Sequence, residues 1–293
     1  MKILVIGATG MLGEPIARQL QADGYNVSVL SRNLEKARAK FGNEFTIVQG
    51  DVEQPESLRS ALDGMDGVHI NLSGGPKPED YERIEYQGTA NVAQAAAEAG
   101  VQRITYLSGY SVNETNQAKN YQTAAKFGAE TAVKASDVPY TIFRATWFFE
   151  SLPLFVINNR ATIIGKPKAP LHWLAAQDYA QMVSKAYRTA ESANKTLYLY
   201  GPEAYTFADA IKQYQAVVRP DTKLSKMPLW LLSLLAGIMR SASLKNEAQF
   251  MKYMVQVQEV GSPDEANMLL GTPMTTLSEW CQAQVMEPQI AYA

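Results

Sequence analysis

The stretch KILVIGATGMLGEPIARQL, residues 2–20, decides the fold. Lys2 to Gly7 is a short apolar run closed by glycine, the pattern of a parallel strand buried on both faces. Leu12, Ile16 and Leu20 then recur every fourth residue and give a helix one apolar stripe, with Pro15 in the first turn, where its missing N–H does little harm. Between strand and helix stand Gly7, Gly10 and Gly13. At such a turn glycines allow a tight reversal, close approach of backbone to a pyrophosphate and close helix-to-strand packing, and the unsatisfied N–H groups of the helix start face the phosphates. The spacing points to a nucleotide site formed by Gly7, Thr9, Gly10, Met11, Leu12 and Gly13, provided that β–α alternation continues.

It does continue. Asn26 to Ser31 (NVSVLS), Phe45 to Gln49 (FTIVQ), Gly67 to Leu72 (GVHINL), Arg103 to Leu107 and Tyr140 to Arg144 (YTIFR) each fit a strand. Helices are expected at 34–41, 55–62, 79–99 and 117–136, and a turn at Ser73-Gly74-Gly75-Pro76. In the 79–99 helix, Ile84, Gly88, Val92, Ala95, Ala96 and Ala99 line one face. Beyond Ala145 the alternation weakens, although 178–189 fits a helix and 196–200 a strand that returns to the sheet. Thr276-Leu277-Ser278-Glu279 is a capping box that opens a terminal helix. The expected architecture is a doubly wound parallel α/β sheet: a dinucleotide-binding domain over 1–150, rejoined by 178–200, with a smaller, mostly helical substrate region over 151–177 and 201–293.

Composition narrows the function classes. The chain has 293 residues, 46% hydrophobic and 19% charged, enough apolar material for a real core. With 27 basic and 29 acidic residues the net charge is -2, which gives no general field for nucleic acid. Cys281 is the lone cysteine, and with His69 and His172 alone no zinc cluster is expected. The amino terminus, interrupted by glycines and Glu14, lacks a leader pattern, and a cytoplasmic location is expected. The apolar stretch Met227 to Met239 is shorter than the ~20 residues of a membrane span and is expected to pack as a helix or flap over the substrate cleft.

GATGMLG (7–13), the Gly50-Asp51-Val52 step and GTANVAQAAAEAGVQRITYLS (88–108) together resemble atypical short-chain dehydrogenase/reductases. TIFRATWFFE (141–150) and LGTPMTTLSEW (270–280) narrow the resemblance to the NmrA-like branch. It implies an NAD(P)-binding Rossmann domain, with Asp51 and Val52 flanking the adenine, Leu72, Ser73 and Gly74 beneath the cofactor, and Trp147 and Phe148 walling the substrate pocket. Asp51 also suits a turn cap, and Trp147 and Phe148 also suit a core. The resemblance further implies a catalytic role for Lys126, although the family's Tyr-x-x-x-Lys pair is broken: Gln122 stands four before Lys126 and Tyr121 five before. Five positions are ~500° of helix, ~140° net, which aims Tyr121 away from Lys126. Ser108 is a further catalytic candidate, Tyr110, just beyond Ser108-Gly109 after the fifth strand, is the alternative acid, and an exposed ion pair with Glu130 is the alternative role for Lys126.

Cofactor choice follows separately from Ser31-Arg32-Asn33. An acid at the end of the second strand would serve the ribose of NAD(H), whereas Arg32 suits a 2′-phosphate, so NADP(H) is favoured over NAD(H). The reading is an oxidoreductase that reduces a small apolar or aromatic carbonyl, quinone or activated double bond. Its rivals are a silent NADP(H) sensor with a protein partner and a nucleotide-sugar epimerase or dehydratase.

Overall fold

A computed structural model describes residues 1–75, 77–166 and 169–286; Pro76 of the expected turn and the last seven residues of the expected substrate region lie outside it. The first half runs β1 (Lys2–Ile6), α1 (Gly13–Ala22), β2 (Asn26–Ser31), α2 (Leu34–Phe41), β3 (Thr46–Gln49), α3 (Pro55–Leu62) and β4 (Gly67–Ile70). A short helix α4 (Pro78–Asp80) continues through a π-helix (Tyr81–Gln87) into α5 (Gly88–Glu98), and β5 (Arg103–Gly109), α6 (Glu114–Gln117), α7 (Tyr121–Lys134) and β6 (Tyr140–Ala145) follow. The second half holds β7 (Trp147–Phe148), β8 (Val156–Ile157), β9 (Arg160–Ile164), β10 (Leu171–Leu174), α8 (Ala176–Ala186), β11 (Lys195–Leu199) and β12 (Glu203–Tyr205). It ends with α9 (Phe207–Val218), β13 (Lys223–Met227), α10 (Leu229–Ile238), α11 (Ala242–Met254), α12 (Asp264–Leu270) and α13 (Leu277–Met286).

Seven parallel strands form the central sheet in the order β11-β6-β5-β4-β1-β2-β3. The chain winds outward from β1 through β2 and β3, then crosses to β4 on the other side of β1. That reversal opens a crevice beyond the carboxyl ends of β1 and β4, where open α/β sheets bind ligands. Strict alternation along β1 feeds both layers: Ile3 and Val5 join Ile16, Leu20 and Tyr179 on one face, while Leu4 and Ile6 join Leu58, Val92 and Ile104 on the other. This is the Rossmann-type doubly wound fold, and β11 extends it at the edge of β6, in register from Lys195 opposite Thr141 to Leu199 opposite Ala145.

A second core, built on Phe149, Trp173, Phe207, Met251 and Trp280, gathers the later helices with two small sheets, β12-β10-β7 and β13-β9-β8. The capping box forms as expected: Thr276 Oγ1 accepts from the Glu279 amide at 3.2 Å, and Glu279 Oε2 accepts from the Thr276 amide at 2.9 Å. Two expectations change. The 117–136 helix is interrupted because Asn120 caps a fresh start, its Oδ1 accepting from the amides of Gln122 at 2.9 Å and Thr123 at 3.1 Å. The 79–99 helix contains the π segment, which shifts the helical phase so that Glu85 is buried and Ile84 only half-buried.

Candidate functional site

The first β–α turn is shaped by its glycines. Gly7 has φ +82, and a Cβ there would lie 1.9 Å from the Asn71 carbonyl oxygen, so the ends of β1 and β4 meet at a distance that excludes a side chain. A Cβ on Gly13 would lie 2.2 Å from the Gly7 oxygen and 2.7 Å from the Ala8 Cα, so α1 rests directly on the turn. Gly10 closes the loop, its amide donating to the Gly7 oxygen at 3.0 Å. Helix α1 starts without a side-chain cap. The amides of Thr9, Met11 and Leu12 have no protein acceptor among the described residues, which leaves a cluster of donors at the positive end of a helix dipole. A pyrophosphate fits this cradle.

Lys40, which the sequence did not single out, borders the cradle. Its Nζ lies 3.1 Å from the Thr9 oxygen and 2.7 Å from Glu14 Oε2. Burial would raise the Glu14 carboxyl, but Lys40 and Arg18 outweigh it and hold the group below its usual range.

Along the crevice, Arg32 and Asp51 line one cavity of about 390 Å³ together with Gln49, Gly50, Gln54 and Ser57. Arg32 is exposed and has no ion-pair or hydrogen-bond partner among the described residues; the Lys36 ammonium is equally unengaged. Asp51 accepts the Glu53 amide at 3.1 Å through Oδ1, an Asx turn that leaves Oδ2 available, so the capping role and a ligand role are compatible. Val52 is buried against Gly88, whose Cβ would stand 2.8 Å from it, and Leu72 packs on the same glycine.

At the other end of the crevice the chain leaves β4 through Leu72, Ser73 and Gly74. The ring of Tyr81 lies flat against Gly74, whose Cβ would come within 2.3 Å of it, and the Ser73 side chain is within hydrogen-bonding reach of the Tyr81 oxygen. Burial first, then the Glu85 carboxyl and Tyr121, push the Tyr81 hydroxyl up to about 12. One turn along the π-helix, Glu85 receives the Lys126 ammonium and the Gly74 amide. Glu85 is 1% exposed; burial raises its pKa, and Lys126 and the Gly74 amide pull it back. Lys126 also donates to the Leu107 oxygen at 3.3 Å and stands 5.7 Å above the Tyr106 ring.

Lys126 therefore does not form the alternative ion pair with Glu130. That carboxylate is held by Arg144, at 2.9 and 2.7 Å, and accepts the Ser108 hydroxyl at 2.6 Å. Ser108 is thus engaged in a buried structural network. The Tyr110 hydroxyl points to the Met254 sulfur at 4.0 Å, buried in the second core, and burial raises its pKa strongly. Tyr121 has its own direction, as the helix phase requires, but lands on the same π-helix: its ring meets Tyr81 edge-on at 5.3 Å. Glu247 of α11 faces both Tyr81 and Tyr121.

Trp147 stacks on Phe250 at 5.7 Å and meets Phe207 edge-on at 4.9 Å, and Phe148 packs edge-on against Tyr179 at 5.5 Å. Both rings are engaged in core packing. Helix α10 packs on α11, and α11 is the element that carries Glu247 to Tyr81 and Tyr121. Tyr81 and Glu85 had one sequence signal, two polar residues four apart just ahead of a small-residue helix. Their inward placement needs the π turn, which a 3.6-residue period does not contain.

A glycine-shaped amide cradle at the first turn of a doubly wound parallel sheet defines a dinucleotide-fold protein. Within that class, the chain belongs to the NmrA-like family, whose sequence profile matches residues 1–281. The chain is similar to photosystem II assembly factor Ycf39 of Trieres chinensis, 27% identical over 245 residues, 81% of this chain and 76% of that protein. It is 30% identical over 219 residues to (4-alkanoyl-5-oxo-2,5-dihydrofuran-3-yl)methyl phosphate reductase of Streptomyces griseus, 74% of this chain and 73% of that one. In fold it resembles the triphenylmethane reductase of Citrobacter sp., solved with NADP(H): TM-score 0.75 at 21% identity, over 97% of this chain and 100% of that chain.

Proposed function

We propose that the protein is an NADP(H)-dependent oxidoreductase acting on a small apolar or aromatic carbonyl, quinone or activated double bond, with residues 151–177 and 201–293 forming the substrate region. The observation that carries the reading is the uncapped start of α1, where free amides face the switch-point crevice. The pyrophosphate would sit on the amides of Thr9, Met11 and Leu12, and the adenosine 2′-phosphate against Arg32 with Lys36 nearby. Val52 and Asp51 would border the adenine, and Leu72 to Gly74 the nicotinamide. The bound nicotinamide supplies hydride chemistry.

Lys126 would hold the nicotinamide ribose, oriented by Glu85. Tyr81 is the proton donor we favour over Ser108 and Tyr110, whose hydroxyls are committed to Glu130 and to the second core. Burial pushes the Tyr81 hydroxyl up to about 12, so it is protonated at neutral pH, with the Ser73 side chain within hydrogen-bonding reach of its oxygen.

The test is NADPH consumption with a panel of quinones, aldehydes and enones, beside direct cofactor binding. Turnover that falls about 10²-fold or more in Tyr81→Phe supports the assignment. A second reading, a cofactor sensor that acts on a protein partner, is favoured by the likeness to an assembly factor and by the Lys126 charge being matched by Glu85. Tight NADPH binding without turnover of any acceptor would select it.

A further inference from the structure

Helix α10, LWLLSLLAGI, is apolar on every side, yet only Leu232 and Ala236 are buried, against α11. Its outward face carries Trp230, Leu234 and Ile238, one turn apart, at 68%, 51% and 69% exposure, and Met239 extends the face at 65%. So much contiguous apolar surface on one short helix is unusual for a soluble face and marks a contact site. Ten residues span ~15 Å, half of a bilayer core, and among the described residues no helix is long and apolar enough to cross a membrane.

The charges around the helix say what covers it. From Thr222 to Asn246 the sequence contains Lys223, Lys226, Arg240 and Lys245 and no Asp or Glu, in a chain whose net charge is -2. None of these four cations has an ion-pair partner among the described residues. They lie at both ends of the helix: Lys226 just before Pro228, Arg240 just after Met239. A second copy of the same face would bring four cations against four, which disfavours a twofold self-contact. An apolar strip that contains a tryptophan and is flanked by lysine and arginine matches the interface of an anionic bilayer, where the ring sits at headgroup level and the cations meet lipid phosphates.

We propose that α10 docks the protein on an anionic lipid surface, with Trp230, Leu234 and Ile238 inserted among the headgroups and Lys223, Lys226, Arg240 and Lys245 on the phosphates. The proposal uses none of the residues of the Gly7–Gly13 cradle and stands apart from the reductase reading.

The full chain is sedimented with vesicles of phosphatidylcholine alone or mixed equally with phosphatidylglycerol. Pelleting with the anionic vesicles only, weakened by salt and reduced about tenfold or more in Leu234→Ser/Ile238→Ser and in Lys223→Glu/Lys226→Glu, is expected. A vesicle-induced blue shift of tryptophan emission that Trp230→Phe abolishes is expected as well. The substituted side chains are exposed, and an unchanged circular dichroism spectrum confirms that the variants fold. Absence of pelleting with anionic vesicles, or pelleting undiminished in both variants, overturns the proposal. So does a dimer in light scattering that Leu234→Ser/Ile238→Ser dissociates, which assigns the face to a second copy. Saturable binding of soluble polyglutamate without vesicle binding also overturns it, in favour of an acidic protein partner.

Discussion

Replacing Arg32 by aspartate should invert the cofactor preference. Arg32 stands exposed at the end of β2, without an ionic partner among the described residues, on the wall of the cavity that it shares with Asp51. A guanidinium so placed is free to make charge-assisted hydrogen bonds to a 2′-phosphate, worth about 1.5–3 kcal/mol net. Aspartate removes them and adds repulsion: in water, a carboxylate ~5 Å from a phosphate dianion costs about 1–2 kcal/mol before salt screening. The sum, about 2.5–5 kcal/mol before screening, corresponds to a loss in NADPH affinity of about 70-fold to 5,000-fold. NADH should bind equally well or better, because the carboxylate accepts from the ribose hydroxyls. Titration calorimetry of both cofactors against both proteins measures the ratio directly. A ratio unchanged within threefold would remove Arg32 from the site, whatever the absolute affinities.

Gly13→Ala places a Cβ against backbone atoms of Gly7 and Ala8 that cannot move independently; NADPH binding should be lost and stability reduced by about 1–3 kcal/mol, and normal binding would contradict the close approach of α1. Lys126→Met should destabilise the chain by about 3 kcal/mol by stranding the Glu85 carboxylate, and the double variant with Glu85→Gln should recover much of that loss in urea melts; strictly additive effects would show that the pair is not coupled. Glu150, whose buried carboxyl is pushed up from 4.5 to about 7, chiefly by burial, holds a proton when folded that it loses when unfolded between those values. Its contribution is therefore present at low pH and lost as pH rises through 7, so Glu150→Gln should raise stability at pH 8 by up to about 3 kcal/mol and leave it unchanged near pH 4, whereas an equal effect at both would exclude titration as the cause.

The first 150 residues were legible because local physics and tertiary context agree there. The apolar run 2–6 is a central strand, Gly13 carries the helix, and the predicted helix over 34–41 is observed without change. The shape of the first β–α turn was equally legible, since glycine spacing reports backbone geometry directly. The catalytic end was not. Ser108 stands at the end of β5 and Tyr110 just after it, but their hydroxyls are claimed by partners 22 and 144 residues away, Glu130 and Met254, which no local pattern encodes. Glu85 and Tyr81 reach the crevice through a π-helix that no 3.6-residue period foresees. The apolar content of Met227 to Met239 was legible, but hydrophobicity marks a surface for covering without saying whether a cleft or an external partner covers it.

The most direct test of the central claim is a crystal structure of the protein soaked with NADPH. The account predicts the pyrophosphate on the amides of Thr9, Met11 and Leu12, the 2′-phosphate within hydrogen-bonding distance of Arg32, and the nicotinamide ribose on Lys126, with Tyr81 beside the ring. Nucleotide bound elsewhere, or bound in the crevice with its 2′-phosphate away from Arg32 and its ribose away from Lys126, would contradict it.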